Sequence, residues 1–196
     1  MQQRILFITL MLAGTLSSSL MPLPLGALSM LTEQSKLAID GIGPIRVGMT
    51  VAEAEKSAQV QLVEKGGRAT NSCFHLWPKT GPQNLAFMVI TNRDDNRIVR
   101  SSDRIARVDI LKGSRISSLR GAKIGDTEAR IKALYPAQIK VTPHQYTGHQ
   151  GGHYLTFIPK DAADKDFRLI FETLNGRVTQ FRAGKLPEVE YVEGCA

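Results

Sequence analysis

Ile45-Arg46-Val47-Gly48-Met49-Thr50-Val51-Ala52-Glu53 can be laid on Ala122-Lys123-Ile124-Gly125-Asp126-Thr127-Glu128-Ala129-Arg130 at an offset of 77 residues. Both copies read small or apolar, base, aliphatic, Gly, any residue, Thr, then a helix-forming run. Only Gly and Thr are identical, but each has a mechanical role. Gly permits a sharp reversal out of a strand, and Thr caps the helix that follows. Thr50 and Glu53 have the spacing of a capping box; the second copy has Arg130 in the place of Glu53. Pro136 ends the second helix near Tyr135, because a residue before proline is disfavoured in helical geometry.

Strand-like segments follow each helix. After the first they are residues 72–77, 85–91 and 105–111, with Ile98-Val99 as a further piece. After the second they are 139–142, 152–158, 167–174 and 177–183, with 189–192 as a last edge. Ala106, Val108 and Ile110 alternate with Arg107 and Asp109, as in a strand with one face inward. The expected fold is α+β, in two tandem units that each run from a short helix into an antiparallel meander. The units span residues 41–118 and 119–196, preceded by an extension over 30–40.

Residues 1–29 read as a cleaved signal peptide. Arg4 is the only charge before Glu33, residues 5–13 are apolar, and Ala27-Leu28-Ser29 places small residues at a signal peptidase site. Pro22 and Pro24 break any helix that would anchor the whole stretch, and no cysteine stands at the cleavage site for a lipid. The expected product is exported, periplasmic or extracellular, without a stable membrane anchor after cleavage.

Of 196 residues, 42% are hydrophobic and 22% charged, which excludes wholesale disorder and a polytopic membrane protein. Two cysteines exclude a cysteine-rich scaffold and a zinc site of several thiolates. The formal net charge is +7, yet Arg97, Arg100, Arg104 and Arg107 interleave with Asp94, Asp95, Asp103 and Asp109. A solvated basic face accounts for this better than a nucleic-acid site, so no nucleic-acid partner is expected.

The strand, Gly-x-Thr helix start and meander, repeated in tandem, resemble the beta-lactamase inhibitor protein and outer-membrane assembly lipoprotein superfamily. Gly-Ile-Gly-Pro-Ile-Arg-Val-Gly-Met-Thr (41–50) and a closing Tyr-Val-Glu-Gly-Cys (191–195) are also similar to small exported bacterial proteins of unassigned function. The inhibitor likeness implies a hairpin tip that enters a target enzyme. The comparable connection here, 91–97, carries Asp94 and Asp95 but no aromatic, so no functional residue is transferred.

His144, His149 and His153 cluster within eleven residues and are the candidate metal ligands, although Gly151-Gly152 argues for a loop rather than a helix between the last two. Ser114 lacks the setting of a nucleophile elbow. Asp109 and Glu172 are candidate acid–base carboxylates, and alternation reads both more simply as outward strand residues. Phe74, Trp77 and Tyr154 read as core filling or as an aromatic binding strip. The glycine-rich 41–44 and 148–152 segments do not match a phosphate loop.

No convergent catalytic set emerges. The leading expectation is a non-catalytic exported protein, without a cofactor, that binds another protein or an envelope component through its sheet surfaces. The alternatives are a metal-binding protein or enzyme centred on 144–153, and an inhibitor of a secreted hydrolase.

Two structural expectations are sharper. Leu174-Asn175-Gly176 is read as a three-residue turn pairing Thr173 with Arg177, with Leu169, Phe171, Thr179 and Phe181 on one face. Cys73 and Cys195 are expected to form a disulfide, since two cysteines in an exported chain most simply pair with each other.

Overall fold

The computed structural model describes residues 30–65, 73–91 and 99–195; the expected signal peptide over residues 1–29, and Asp94, Asp95, Arg97 and Ile98, lie outside the described residues. The protein is mixed α+β and mostly β, with two helices and twelve strands in two sheets among the described residues. In order these are β1 (Lys36–Ala38), β2 (Gly41–Ile42), β3 (Ile45–Arg46), α1 (Val51–Ala58), β4 (Leu62–Val63), β5 (Cys73–Pro78), β6 (Leu85–Ile90) and β7 (Arg104–Ile110). Then follow β8 (Ser117–Ser118), α2 (Glu128–Leu134), β9 (Ile139–Pro143), β10 (His153–Phe157), β11 (Phe167–Leu174) and β12 (Arg177–Lys185). The large sheet has the order β4-β5-β6-β7-β12-β11-β10-β9 with every neighbour antiparallel. The small sheet, β3-β2-β1-β8, includes β1 from the segment read as an extension, paired in parallel with β8.

Both helices start as their sequences dictate. Thr50 Oγ1 accepts from Glu53 N at 3.2 Å, and Glu53 Oε2 accepts from Thr50 N at 2.8 Å, completing the capping box. Thr127 Oγ1 accepts from Arg130 N at 3.2 Å. Gly48 and Gly125 turn the chain with φ of 93° and 88°, a region costly for any residue with a Cβ. The two turns dock alike. Gly48 N donates to Ile105 O at 2.7 Å and Ile105 N to Met49 O at 2.9 Å, at the start of β7. Gly125 N donates to Val178 O at 2.8 Å and Val178 N to Asp126 O at 2.9 Å, at the start of β12.

One face of the large sheet builds the core with the helices and the small sheet. Leu76, Phe87, Val108, Ile110, Phe171, Phe181 and Ala183 pack there against Val51, Ala54, Ile131 and Ile45. Each large apolar side chain so buried contributes on the order of 1.5–3 kcal/mol. Tyr135, which caps α2, lays its ring 5.8 Å from Phe171 and 5.0 Å from Phe157, with its hydroxyl 2.8 Å from Ser118 Oγ.

Three sequence expectations are corrected. The β11–β12 turn is a two-residue one: Leu174 pairs with Arg177, and Asn175 and Gly176 both have positive φ, 52° and 70°. This is the primed geometry that matches strand twist. Taken alone it would set Phe171 opposite Gln180. A bulge restores the burial register, because Thr173 pairs with Val178 and Glu172 with Gln180, leaving Thr179 as the extra residue. Phe171 and Phe181 consequently pair and stack at 5.4 Å, as hydrophobic burial demands, while Val178 rather than Thr179 enters the core. Residues 189–192 form no edge strand; Glu188–Glu190 is a 3-10 turn. Arg107 and Asp109 are not outward and solvated but buried, for a reason given below.

Deleting Thr179 keeps every pair from Glu172–Gln180 onward. We expect the deletion variant to unfold cooperatively in urea within about 2 kcal/mol of the parent, the scale of the lost Thr179-to-Glu172 carbonyl hydrogen bond and bulge. Phe181→Ala should cost about 3–5 kcal/mol in the same assay. A deletion as damaging as the Phe181 truncation would refute the register argument.

Candidate functional site

Alternation places Arg107 and Asp109 of β7, Glu172 of β11 and Arg182 of β12 on the face opposite the helices. Register makes Arg182 the direct neighbour of Asp109, while Gly184 faces Arg107. A charged row on a sheet face is ordinarily wet. Here the segment after β12, residues 186–195, doubles back as a strap over it and ends at the Cys73–Cys195 disulfide, with Cα atoms 5.2 Å apart. The expected pairing is thus present. Cys195 packs with Cys73, Met88 and Ile90, while Gly194 lies so close to His75 that an added Cβ would sit 2.8 Å from the ring.

The buried charges hold the strap. Arg107 Nη1 donates to Glu188 O at 3.2 Å and Tyr191 O at 2.8 Å, while its Nε meets Asp109 at 3.0 Å. Arg182 Nε donates to Val189 O at 2.7 Å, and its Nη1 pairs with Glu172 Oε1. Glu172 Oε2 also accepts from Gln180 Nε2 at 2.6 Å and meets His144 Nε2 at 3.2 Å. The four charged residues are only 5–7% exposed. Asp109 and Glu172 are therefore corrected from outward strand positions to buried ion-pair partners.

Electrostatics follow this geometry. Burial alone would raise the Glu172 carboxyl; the Arg182 charge and bonds from Gln180, Arg182 and His144 outweigh it and hold the carboxyl below its ordinary 4.5. Burial pushes His75 below 6.5, opposed by Asp109 and reinforced by Arg107. His75 is thus favoured neutral.

The three candidate metal histidines are not brought together. His144 lies on the strapped face, stacked on Tyr154 with ring centroids 4.4 Å apart. His153 bonds Glu128 of α2 at 2.8 Å, and Glu128 also accepts from Thr173 Oγ1 at 2.6 Å. His149 is exposed beside Gln150. No group of three or more His, Cys, Asp or Glu among the described residues is arranged to hold a metal ion. Ser114 is buried and accepts from Ile116 N. Phe74 is buried, whereas Trp77 and Tyr154 are half-buried and line cavities instead of filling the core.

Two such cavities flank Val192 of the strap. One, of about 200 Å³, is walled by His75, Trp77, the four buried charges and Glu193. The other, of about 170 Å³, lies over Tyr154, Thr156 and Ile170. A larger cavity of about 470 Å³ between the Gly48 turn and Lys185 has less chemistry, since the Arg104 guanidinium in its wall is engaged by Gly48 O at 2.6 Å. The strapped face is therefore the candidate site. Among the described residues no helix is long and apolar enough to cross a membrane. No protein-family model matches the chain, and no curated protein is recognisably similar to it.

Sequence reasoning missed the charged row because each member looked like an outward strand residue. The signal lay in the cysteines: a Cys73–Cys195 bond obliges the chain after β12 to lie across the sheet.

Arg182→Met leaves Glu172 buried without its cation, and we expect a loss of about 3–5 kcal/mol in urea unfolding; the double variant with Glu172→Leu should recover most of it. Additive losses would disprove the coupling. pH gives a second check. His75 and Glu172 both bind a proton less readily folded than unfolded, so their stability contribution is complete above the unfolded pKa and declines as pH falls. The His75 decline begins near 6.5 and that of Glu172 near 4.5. His75→Gln should flatten the stability profile just below pH 6.5 and leave the lower limb unchanged; an unaltered profile would exclude a half-buried His75 held neutral.

Proposed function

We propose that the protein is an exported, non-catalytic binding protein, built from two copies of one helix-and-meander unit, that presents the strapped face to another protein or an envelope component. One observation carries this reading: the ionisable side chains of that face are engaged in holding a rigid surface. Glu172 has Arg182, Gln180 and His144 on its two oxygens, and both arginines grip strap carbonyls. A general acid or base needs a proton that moves near working pH. Groups pinned in this way suit recognition better than turnover.

The tandem reading has its own support. The strand order is a palindrome about β7–β12 when β4 to β7 are matched with β9 to β12. The two Gly-x-Thr turns dock on β7 and β12 through equivalent hydrogen bonds, and Arg104 and Arg177 each donate to the turn glycine's carbonyl. Export is supported by a disulfide compatible with an oxidising compartment. The rim of the face suits a partner, since Tyr146 and Tyr191 are 49% and 41% exposed and Tyr146 is held by its hydroxyl bond to Glu193. Anchored tyrosines give contact area at low entropy cost, a feature enriched at interfaces.

Photo-crosslinking residues placed at 146 and 191 in the native host test the proposal against position 119, which is 69% exposed beside the small sheet. We expect a defined adduct from 146 and 191 and none from 119. Adducts only from 119, or none at all, would overturn the assignment.

A further inference from the structure

The cavity of about 200 Å³ under Val192 and Glu193 has the room of about six waters and an uneven charge. Its two guanidinium groups are each matched at close range, Arg107 by Asp109 and Arg182 by Glu172. Glu193 is a third carboxylate, and its hydrogen-bond partner is the neutral Tyr146 hydroxyl. With His75 neutral, the lining carries one negative charge more than it neutralises. An entering anion would meet three carboxylates and two cations already engaged. A small cation would meet the same groups with an attractive balance, because Glu193 has no cation beside it among the described residues of the lining.

One wall is aromatic. Trp77 is half-buried, its ring centroid 6.0 Å from that of His75, and indole is the best face for a cation. The apolar side chains of Ala86, Leu111 and Val192 also line it. A metal ion would need converging ligands, and the described residues provide no such group. An alkylammonium group, with diffuse charge and an apolar surface, matches both the wall and the field.

We propose that this cavity binds a small organic cation of the alkylammonium class between Trp77 and Glu193. The site is tested by a readout separate from that of the partner surface proposed above, so either can fail without the other.

Trp77 is the only tryptophan of the chain, so its fluorescence reports directly on the wall. Purified mature protein is titrated with choline at constant ionic strength. The controls are sodium chloride and 3,3-dimethyl-1-butanol, the uncharged isostere of choline. We expect a saturable change in Trp77 emission with choline, and at least about tenfold weaker binding of the isostere. Glu193→Gln should weaken choline binding about threefold or more, while circular dichroism and the melting transition confirm that the variant folds. In Trp77→Phe the titration is followed by calorimetry, and weaker but measurable binding is expected. A non-saturable response, equal binding of choline and its isostere, or an affinity unchanged by Glu193→Gln would each overturn the proposal.

Discussion

The pairing of β7 with β12 is the contact on which the rest of the structure depends. It joins the strands that follow α1 to the strands that follow α2, making one sheet of eight instead of two sheets of four. The joint is close. A Cβ on Gly184 would lie 2.6 Å from Ala106 O and 2.9 Å from the Cα of Arg107, so only glycine allows the two backbones to meet there. On the core side the joint aligns Phe181 with Ile110 and Ala183 with Val108; on the other it aligns Arg182 with Asp109. A single register thus completes the core and gathers the charged row. The two outcomes cannot be separated, because a one-residue slip would exchange the faces.

Gathering buried charge is costly, and the strap is what makes it tolerable. Removing a carboxylate and a guanidinium from water costs several kcal/mol each, offset only where geometry and added hydrogen bonds are good. Arg107 and Arg182 meet that condition by bonding a carboxylate on the sheet and main-chain carbonyls above it. Those carbonyls of Glu188, Val189 and Tyr191 would themselves be poorly solvated beneath side chains, so each partner removes the other's penalty. An apolar row would bury more cheaply. It would not select where the strap lies, since dispersion contacts tolerate sliding and directional bonds to three particular carbonyls do not.

Legibility followed periodicity. Strands β5, β6, β7 and β9 to β12 were readable within two residues from alternation, and α1 and α2 from Thr caps and a terminating proline. β1, β2 and β8 are two or three residues long and carry no period to read; β3 was legible only through the Gly-x-Thr repeat, whose second copy has no strand at 122–124. The β11–β12 hairpin shows a subtler limit. Burial correctly chose Phe171 opposite Phe181, but the turn was inferred by assuming an unbroken ladder. Asn-Gly imposed its primed turn and Thr179 absorbed the mismatch, and local pattern contains no signal for a bulge. Val189-Glu190-Tyr191-Val192 imitates strand alternation, yet no strand edge is available where the strap runs. Among site residues the disulfide was readable from the number of cysteines and the expectation of export. The burial of Asp109 and Glu172 was not, because it depends on a covering segment more distant in sequence.

The disulfide and the arginines stabilise the strap by different means. The bond joins positions 122 residues apart, for which chain entropy allows between four and five kcal/mol. That figure is an upper bound, because a compact denatured chain already restricts such a loop. The greater local effect is on the end of the chain. A terminus held only by Cys195 would remain free to rotate over the sheet between its two tethers, β12 and the disulfide. Arg107 and Arg182 act within that span, at Glu188, Val189 and Tyr191, and remove the remaining freedom. Covalent closure confines the segment to the face, and directional hydrogen bonds select one path across it. Val192 is thereby set between the two cavities, so the shape of the face follows from the strap's backbone as much as from the sheet below it.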